Sequence, residues 1–195
     1  HEKKNVAIDQ FFLKYFTKLL DAYIVHNLFT KNILVNKLGV AEEKIFLIPH
    51  GNYCEDYLPF TGNKKDFKTN VIKVEDKFTF TILGNIRPYK GVLDLIEAFK
   101  KIKNKECQLL ICGHVTNPKD IQLINKEVRG CSNIHFKPGY VADNELQGYI
   151  KTSDVMVYPY KDILTSGSLI LGMSLKSVCL VSNVVSMAEL IPANC

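Results

Sequence analysis

Residues 83–91 read Leu-Gly-Asn-Ile-Arg-Pro-Tyr-Lys-Gly and join an apolar strand to an amphipathic helix predicted over 91–103. Gly84 permits a tight turn, and the first N–H groups of the helix have no partner within it. Arg87 and Lys90 add two positive charges, which suit a diphosphate better than a single carboxylate because arginine can form two hydrogen bonds to one phosphate. The turn is therefore predicted to bind the diphosphate of a nucleotide. The alternative is that both charges are only solvated.

A regular alternation of strands and helices continues on both sides of this turn, judged from apolar runs and helical spacing. The first part of the chain has a helix at 8–20, a strand at 22–25, a helix at 30–38 and a strand at 44–48. The second part has strands at 78–83, 107–112, 133–136, 154–158 and 178–182, with helices at 91–103, 118–128, 143–152, 167–175 and from 186 onward. Several strands are apolar throughout, which is typical of parallel sheets covered by helices on both faces. The predicted fold class is α/β, with Rossmann-like doubly wound parallel sheets and ligand loops at the carboxyl ends of the strands.

The alternation breaks between Tyr53 and Lys77, where proline, glycine and lysine are frequent. This break predicts residues 1–58 as the C-terminal part of one Rossmann-like domain, 59–75 as a linker and hinge, and 76–195 as a second Rossmann-like domain. The lysines of the linker are expected to be solvated. Because the chain opens without methionine and stops just after the start of a predicted helix, it is expected to be a fragment.

Composition excludes several classes of protein. With 195 residues, 47% hydrophobic and 23% charged, the chain has the composition of a globular protein. Its longest apolar runs are far shorter than the roughly 20 residues of a membrane-spanning helix. The net charge of +5 comes from basic residues scattered among 20 acidic ones, so nucleic-acid binding is not indicated, whereas weak attraction to anionic lipid is allowed. Six cysteines without a Cys-x-x-Cys pair are expected to be reduced in a cytosolic protein, without a zinc site.

Further candidate segments follow other predicted strands and therefore belong to the same edge of the sheet. Thr165-Ser166-Gly167-Ser168 opens a helix with hydroxyls, a glycine and free N–H groups, so it is a second candidate for the diphosphate; the alternative is helix capping by Thr165 or Ser166. Gly139-Tyr140-Val141 is a candidate for the edge of a nucleobase, with Tyr140 packing on the ring, unless the segment is only a turn. His114 ends another strand and is a candidate phosphate contact. Asp154 is expected to cap a helix or to pair locally rather than to catalyse.

Several motifs, taken in order along the chain, resemble those of one family. They are Pro49-His50-Gly51, Gly84…Arg87…Lys90-Gly91, the strand Asp154-Val-Met-Val-Tyr-Pro-Tyr160, Thr165-Ser-Gly167 and the Glu189 that follows. The sequence resembles, over nearly its whole length, the retaining glycosyltransferases of family 4, which have the GT-B fold. It looks most like the bacterial enzymes that build capsule, exopolysaccharide or lipopolysaccharide.

The resemblance implies two Rossmann-like domains facing each other across a cleft, with the acceptor domain first and the nucleotide-sugar domain second. Neither a metal nor another cofactor is implied. The donor diphosphate would bind to Gly84, Arg87, Lys90, Thr165, Ser166 and Gly167. The nucleobase and ribose would lie at Gly139, Tyr140 and Val141. His114 and Glu189 are further candidates for the donor site, and the catalytic residues are not assigned.

Some positions depart from the family pattern. The family usually has arginine directly after the first glycine, where this chain has Asn85, so Arg87 would have to serve from two residues further on. The family's pair of glutamates, eight positions apart, should fall near Leu164 and Gly172, and neither residue is acidic. Val-Val-Ser at 184–186 replaces the usual glycines. The ribose and the sugar therefore lose expected partners.

The function implied by the resemblance is transfer of a hexosyl group from a UDP- or GDP-sugar to a glycan or lipid-linked acceptor, with retention, in surface polysaccharide biosynthesis. The expected location is cytoplasmic, with peripheral association at the inner face of the plasma membrane allowed. A fragment that lacks most of the acceptor domain is expected to be inactive alone. The alternatives are a sugar-nucleotide epimerase of the same fold, and a non-catalytic protein that binds nucleotide sugars.

Overall fold

A computed structural model describes the backbone of residues 6–191 and the side chains of residues 11–191. Two compact units are present. The first contains the described residues up to Gly51, Ile163–Ser166 and the described residues from Asn183 onward. The second contains Asn52–Asp162 and Gly167–Ser182. The assignment of these units to an acceptor domain and a donor domain stays a prediction.

The first unit is built around a short parallel pair of strands. Its elements are α1 (Val6–Leu19), β1 (Tyr23–Val25), α2 (Leu28–Leu38), β2 (Ile45–Leu47) and α8 (Val185–Ala188). Val25, Val40 and Ile45 form its buried core. The helix α2 begins where the Asn27 side chain accepts a hydrogen bond from the N–H of Thr30, so a side-chain cap satisfies one of the unpaired donors of the first turn.

The second unit is a five-stranded parallel sheet with the strand order β5-β4-β3-β6-β7. Its elements are α3 (Lys64–Asp66), β3 (Phe78–Leu83), α4 (Val92–Lys100), β4 (Cys107–Gly113), α5 (Pro118–Val128), β5 (Ile134–Pro138), α6 (Asp143–Thr152), β6 (Val155–Tyr158), α7 (Gly167–Ser174) and β7 (Cys179–Val181). The chain proceeds from β3 outward to β5 and then returns to the other side of β3. The sheet is therefore doubly wound, and the loops after β3 and β6 meet at a switch point where ligands of such sheets bind.

Burial explains why the strands of this sheet are so apolar. Ile82, Leu109 and Ile111 lie in the central strands and are almost completely buried, together with Ile96 of α4 and Ile124 of α5. The predicted α/β class with parallel sheets is confirmed, and each predicted strand forms within two residues of its expected limits. The part of the predicted C-terminal helix beyond residue 191 lies outside the described residues.

Residues 59–75, predicted as a linker, contain helical structure that the sequence pattern did not indicate. The short helix α3 continues directly into a π-helix, Phe67–Ile72. The Phe67 ring makes edge-to-face contacts with Phe60 and with Tyr149 of α6. The segment is thus held by aromatic packing against the second unit. Whether it also acts as a hinge stays a prediction.

Lys68 corrects the expectation that every lysine of this segment is solvated. Its side chain is buried, and its ammonium donates a hydrogen bond to the Lys77 carbonyl at 2.9 Å. The same ammonium lies 3.4 Å from Asp154 and 3.7 Å from Asp76. Asp154 also accepts a hydrogen bond from the N–H of Thr79 at 2.7 Å. Asp154 therefore pairs with residues 75 and 86 positions away rather than locally, and it ties the segment to the amino end of β3.

We expect Lys68→Met to lower the free energy of unfolding by about 1–3 kcal/mol, because it removes the ammonium that the Lys77 carbonyl and the carboxylates of Asp76 and Asp154 share. The half-exposed carboxylates limit the loss. Lys65→Met is the matched control, since this exposed neighbour has no ion pair within the described structure. Urea denaturation measures both changes. Equal losses in the two variants would contradict the structural role given to Lys68.

The described cysteines, Cys54, Cys107, Cys112, Cys131 and Cys179, form no disulfide with one another. Burial raises the pKa of the Cys112 thiol to about 12, so it is protonated at neutral pH and serves as a small apolar side chain. Within residues 6–191, no helix is both long enough and apolar enough to cross a membrane.

Candidate functional site

Two loops lie side by side at the switch point of the sheet. One follows β3 and contains residues 84–91, and the other follows β6 and contains residues 159–161. The N–H of Lys161 donates a hydrogen bond to the carbonyl of Tyr89 at 2.8 Å. The Lys90 ammonium lies over the Tyr160 ring, 5.2 Å from its centroid. These two contacts hold the loop after β3 against the loop after β6.

Three groups converge at Gly84, which has a φ of +114°. A methyl group added to Gly84 would lie 3.6 Å from the Ser168 Oγ and 3.7 Å from the Lys90 Nζ. Ser168 is in the first turn of α7, where backbone N–H groups lack intrahelical partners. We call Gly84, Lys90 and Ser168 the switch-point cluster. It presents an ammonium, a hydroxyl and open backbone to one small space.

The charge of Lys90 is unusual for its surroundings. Its side chain is only 6% exposed, and no ion pair joins it to any side chain of residues 11–191. Burial, and secondarily the positive charge of Arg87, lower the pKa of Lys90 to about 8. A buried ammonium without a counter-ion is costly, so it is typical of a site that an anion completes.

Arg87 lies apart from this cluster. Its side chain is exposed and lines a cavity of about 250 Å³ together with residues of α4 and α5, and Lys90 does not line that cavity. Arg87 begins the 3₁₀ turn Pro88–Lys90, so the two basic side chains leave the turn in different environments. Contact between Arg87 and a phosphate stays a prediction.

The end of β4 holds the turn after β3 in position. The N–H of Ile86 donates to the His114 carbonyl at 2.8 Å, and the N–H of Gly84 donates to the Cys112 carbonyl at 3.1 Å. A Cβ on Gly113 would lie 1.8 Å from the Gly84 carbonyl oxygen. The His114 side chain is exposed beside this contact.

The segment predicted to contact the nucleobase follows β5. The N–H of Gly139 donates to the Gly113 carbonyl at 3.0 Å, which joins this segment to the end of β4. Tyr140 is 76% exposed, and its hydroxyl donates a hydrogen bond to Asp143 at 3.0 Å. This hydrogen bond raises the pKa of Tyr140. The hydrogen bond to Asp143 holds the hydroxyl end of the Tyr140 ring, and the rest of the ring is open to solvent. Val141 is half-buried.

The remaining predicted site residues do not all belong to the same unit. Gly167 begins α7 in the second unit, whereas Thr165 and Ser166 belong to the first unit. The Thr165 hydroxyl is buried, and no hydrogen-bond partner for it lies within the described part of the chain. Glu189, also in the first unit, accepts a hydrogen bond from the N–H of Phe29 at 3.2 Å, so its carboxylate caps the start of α2.

Sequence comparison decides the family. The sequence profile of the family described as "Glycosyl transferases group 1" matches residues 77–194. The chain belongs to this family. The GDP-mannose:glycolipid 4-beta-D-mannosyltransferase of Xanthomonas campestris pv. campestris is 30% identical over 92 residues, which are 47% of this chain and 26% of the relative. The chain thus spans about a quarter of the length of the curated relatives that it matches.

Solved structures show the same fold. HepE of Anabaena in complex with UDP-glucose superposes with a TM-score of 0.79 at 13% identity, over 94% of this chain and 51% of HepE. A glycosyltransferase of Rickettsia africae gives a TM-score of 0.79 at 18% identity, over 94% of this chain and 50% of that one. Sucrose-phosphate synthase of Thermosynechococcus elongatus gives 0.72 at 18% identity, over 94% and 47%. The predicted GT-B fold class is confirmed.

One residue of this group 1 glycosyl transferase extends the site beyond the sequence predictions. Tyr160, in the loop after β6, supports the Lys90 ammonium. The sequence pattern alone does not indicate a contact with a lysine 70 positions earlier. Ser168, which completes the switch-point cluster, belongs to the predicted segment Thr165-Ser166-Gly167-Ser168.

One departure from the family pattern has a structural basis. Gly172, near the position expected for one glutamate of the pair, is buried in α7. A Cβ there would lie 2.3 Å from the Tyr158 hydroxyl, which donates a hydrogen bond to the Ser168 carbonyl at 3.0 Å. A side chain at this position would displace Tyr158. No group of three or more metal-ligating side chains is present within residues 11–191.

Proposed function

We propose that this group 1 glycosyl transferase moves a hexosyl group from a UDP- or GDP-sugar to a glycan or lipid-linked acceptor, with retention at the anomeric carbon. Its proposed role is surface polysaccharide biosynthesis of the family 4 type, in the cytoplasm at the inner face of the plasma membrane. The donor diphosphate is bound without a metal ion. The relative from Xanthomonas is named for GDP-mannose and a glycolipid, and HepE was crystallised with UDP-glucose, which supports these classes of donor and acceptor.

The switch-point cluster is the observation that carries this proposal. Glycosyl transfer leaves negative charge on the departing diphosphate, and groups that bind this charge more strongly in the transition state accelerate the reaction. Lys90 offers a buried positive charge without a counter-ion, and Ser168 offers a hydroxyl in the first turn of a helix. Gly84 leaves room for the phosphate oxygens to approach the backbone. Arg87 is proposed as an outer contact that reaches the diphosphate from the exposed side of the turn.

We expect UDP or GDP at millimolar concentration to raise the melting temperature of the chain, because a ligand that binds only the folded state stabilises it by mass action. Addition of EDTA should leave the shift unchanged. Differential scanning fluorimetry followed by calorimetric titration with UDP-, GDP- and ADP-sugars measures the effect and ranks the bases. The donor proposal fails if no nucleoside diphosphate shifts the melting temperature.

Tyr140→Ala should weaken nucleoside diphosphate binding by about 0.5–1.5 kcal/mol, the range for aromatic pairs, because the exposed ring is proposed to stack on the base. Inorganic diphosphate has no base, so its affinity should not change. Tyr15→Ala is the control, since Tyr15 is similarly exposed on α1. Titration calorimetry with both ligands separates base stacking from phosphate binding. A loss of affinity for inorganic diphosphate would place Tyr140 at the phosphates instead.

A second candidate function is nucleotide-sugar binding without transfer, and the environment of Gly172 favours it. The family's glutamate pair has no counterpart at Leu164 or Gly172, and the Tyr158 hydroxyl fills the space beside Gly172. Incubation of the full-length protein with a radiolabelled nucleotide sugar and a membrane extract distinguishes the two. Labelled glycan or lipid indicates transfer, whereas tight binding without labelled product indicates the second function.

A further inference from the structure

The cavity beside Arg87 is separate from the switch-point cluster and has an apolar floor. Its volume is about 250 Å³. Ile86, Val92 and Ile124 form its buried base, and the partly exposed side chains of Leu93 and Leu123 stand at its mouth. This volume is just below the roughly 300 Å³ at which pockets for drug-sized ligands begin. A ligand of about one six-membered ring with its substituents therefore suits it better than a nucleotide or an extended chain.

Charged groups surround the floor, and their charges cancel. Arg87 and Lys161 contribute two positive charges, and Asp94 and Asp120 contribute two negative ones. Lys161 and Asp94 form an ion pair at 2.6 Å, whereas Arg87 and Asp120 have no ion pair with a described side chain. A diphosphate or an anionic lipid would meet two carboxylates here, and a cation would meet two basic groups. The rim therefore selects a neutral ligand that offers both donors and acceptors.

A neutral pyranose sugar has these properties. Its vicinal hydroxyls donate hydrogen bonds to carboxylates and accept them from guanidinium and ammonium groups. Its axial C–H groups give it an apolar face that suits the aliphatic floor. A purely hydrocarbon ligand would leave the charged rim without hydrogen bonds as it excluded water, which is unfavourable.

We propose that this cavity is a binding site for a single neutral hexose, distinct from the switch-point cluster. Arg87 and Asp120 provide the free donor and acceptor, and the Leu93 and Leu123 side chains cover the faces of the ring. Only the identification of this hexose as a unit of the acceptor glycan rests on the proposed function. Binding of the sugar itself does not depend on nucleotide binding or on transfer.

The test is saturation-transfer difference NMR of the chain with methyl glycosides of glucose, mannose and galactose at millimolar concentration. We expect at least one glycoside to receive saturation. In a spectrum of the protein, the same glycoside should shift the backbone N–H signals of the non-proline residues within 86–94 and 120–124. Leu123→Trp, which fills the cavity, should abolish the transfer. Asp120→Asn should weaken binding by about tenfold or more, because it replaces a charged acceptor by a neutral one. Leu58→Trp is the control, since Leu58 is exposed outside the cavity.

Three outcomes would overturn the proposal. The first is no saturation transfer to any of the three glycosides, and the second is saturation transfer that Leu123→Trp leaves unchanged. The third is stronger binding of the charged probes glucuronate or glucosamine than of the neutral glycosides. Lys90→Met separates this site from the donor site. That variant should lose affinity for nucleoside diphosphate and keep its affinity for the glycoside, whereas Leu123→Trp should show the reverse pattern.

Discussion

Replacing Lys90 by methionine is expected to stabilise the ligand-free protein and, at the same time, to remove much of its affinity for a nucleoside diphosphate. Burial lowers the pKa of Lys90 from 10.5 to about 8, so the folded state pays to hold this proton at neutral pH. An apolar side chain of similar length avoids this cost, so the free energy of unfolding of the variant at pH 7 should exceed that of the wild type by up to about 3 kcal/mol. Loss of the charged hydrogen bond should weaken diphosphate binding by about 1.5–3 kcal/mol.

The pH dependence provides a second readout of the same substitution. Between pH 8 and 10.5 the unfolded wild-type chain holds a proton that the folded chain has released, so the contribution of Lys90 makes the wild type more stable as pH rises through this window. The advantage of Lys90→Met should therefore be full below pH 8 and should shrink towards pH 10.5. Diphosphate affinity of the wild type should fall as pH rises above 8, because the free site loses its charge.

Lys101→Met is the matched control for these measurements. Lys101 is exposed and, among the side chains that the structure describes, pairs only with Glu97 one helical turn away, so its replacement should change stability by less than about 0.5 kcal/mol and leave binding intact. Chemical denaturation across the pH range and calorimetric titration with UDP or GDP provide the numbers. A Lys90→Met protein that is less stable than the wild type at pH 7 would show that the ammonium has a stabilising partner.

Gly113→Ala should disrupt the turn after β3 and strongly destabilise the second unit. The new methyl group would lie 1.8 Å from the Gly84 carbonyl oxygen, which is backbone and cannot rotate away. Gly113 also has a φ of +138°, which residues with a side chain rarely adopt. Overpacking and backbone strain each cost about 1–3 kcal/mol, so we expect a loss of about 2–6 kcal/mol in the free energy of unfolding. Diphosphate affinity should fall as well, since Gly84 has to move.

Gly139→Ala isolates the steric part of this effect. Gly139 has a similar φ of +146°, and a Cβ there would have no heavy atom within 4 Å. Its substitution should therefore show only the cost of backbone strain. Urea denaturation of both variants gives the difference directly. Equal destabilisation would mean that the contact between Gly113 and Gly84 does not determine the position of the turn.

Much of the sheet was predictable because each of its strands is a short apolar run bounded by turn residues. The strand Phe78–Leu83 and the helices Pro118–Val128 and Asp143–Thr152 begin and end where the sequence predicts. These strands are easy to recognise because they are buried on both faces and are therefore apolar throughout. Glycine and basic residues mark the turn after β3 in the sequence, and its role as an anion site stays a prediction.

Other properties depend on contacts between distant parts of the chain. The local pattern marks neither Lys68 nor Lys90 as buried. Lys68 pairs with Asp154, 86 positions away, and Lys90 lies over Tyr160, 70 positions away. Local pattern contains no information about such neighbours. The same limit applies to Arg87, whose cavity is completed by α5. Helix formation by residues 64–72 was missed because its stability comes from the packing of Phe67 on α6 rather than from helical spacing.

The strand order also has a consequence for the nascent chain. The strand β3 is paired on one side by β4, which is synthesised soon afterwards, and on the other side by β6, which emerges only after β4, α5, β5 and α6. Until then one edge of β3 lacks its partner and is a site for wrong pairing. A ribosome that has translated only as far as β5 carries Gly84 and Lys90 but neither Tyr160 nor Ser168. The proposed nucleotide site is therefore incomplete until α7 has been synthesised.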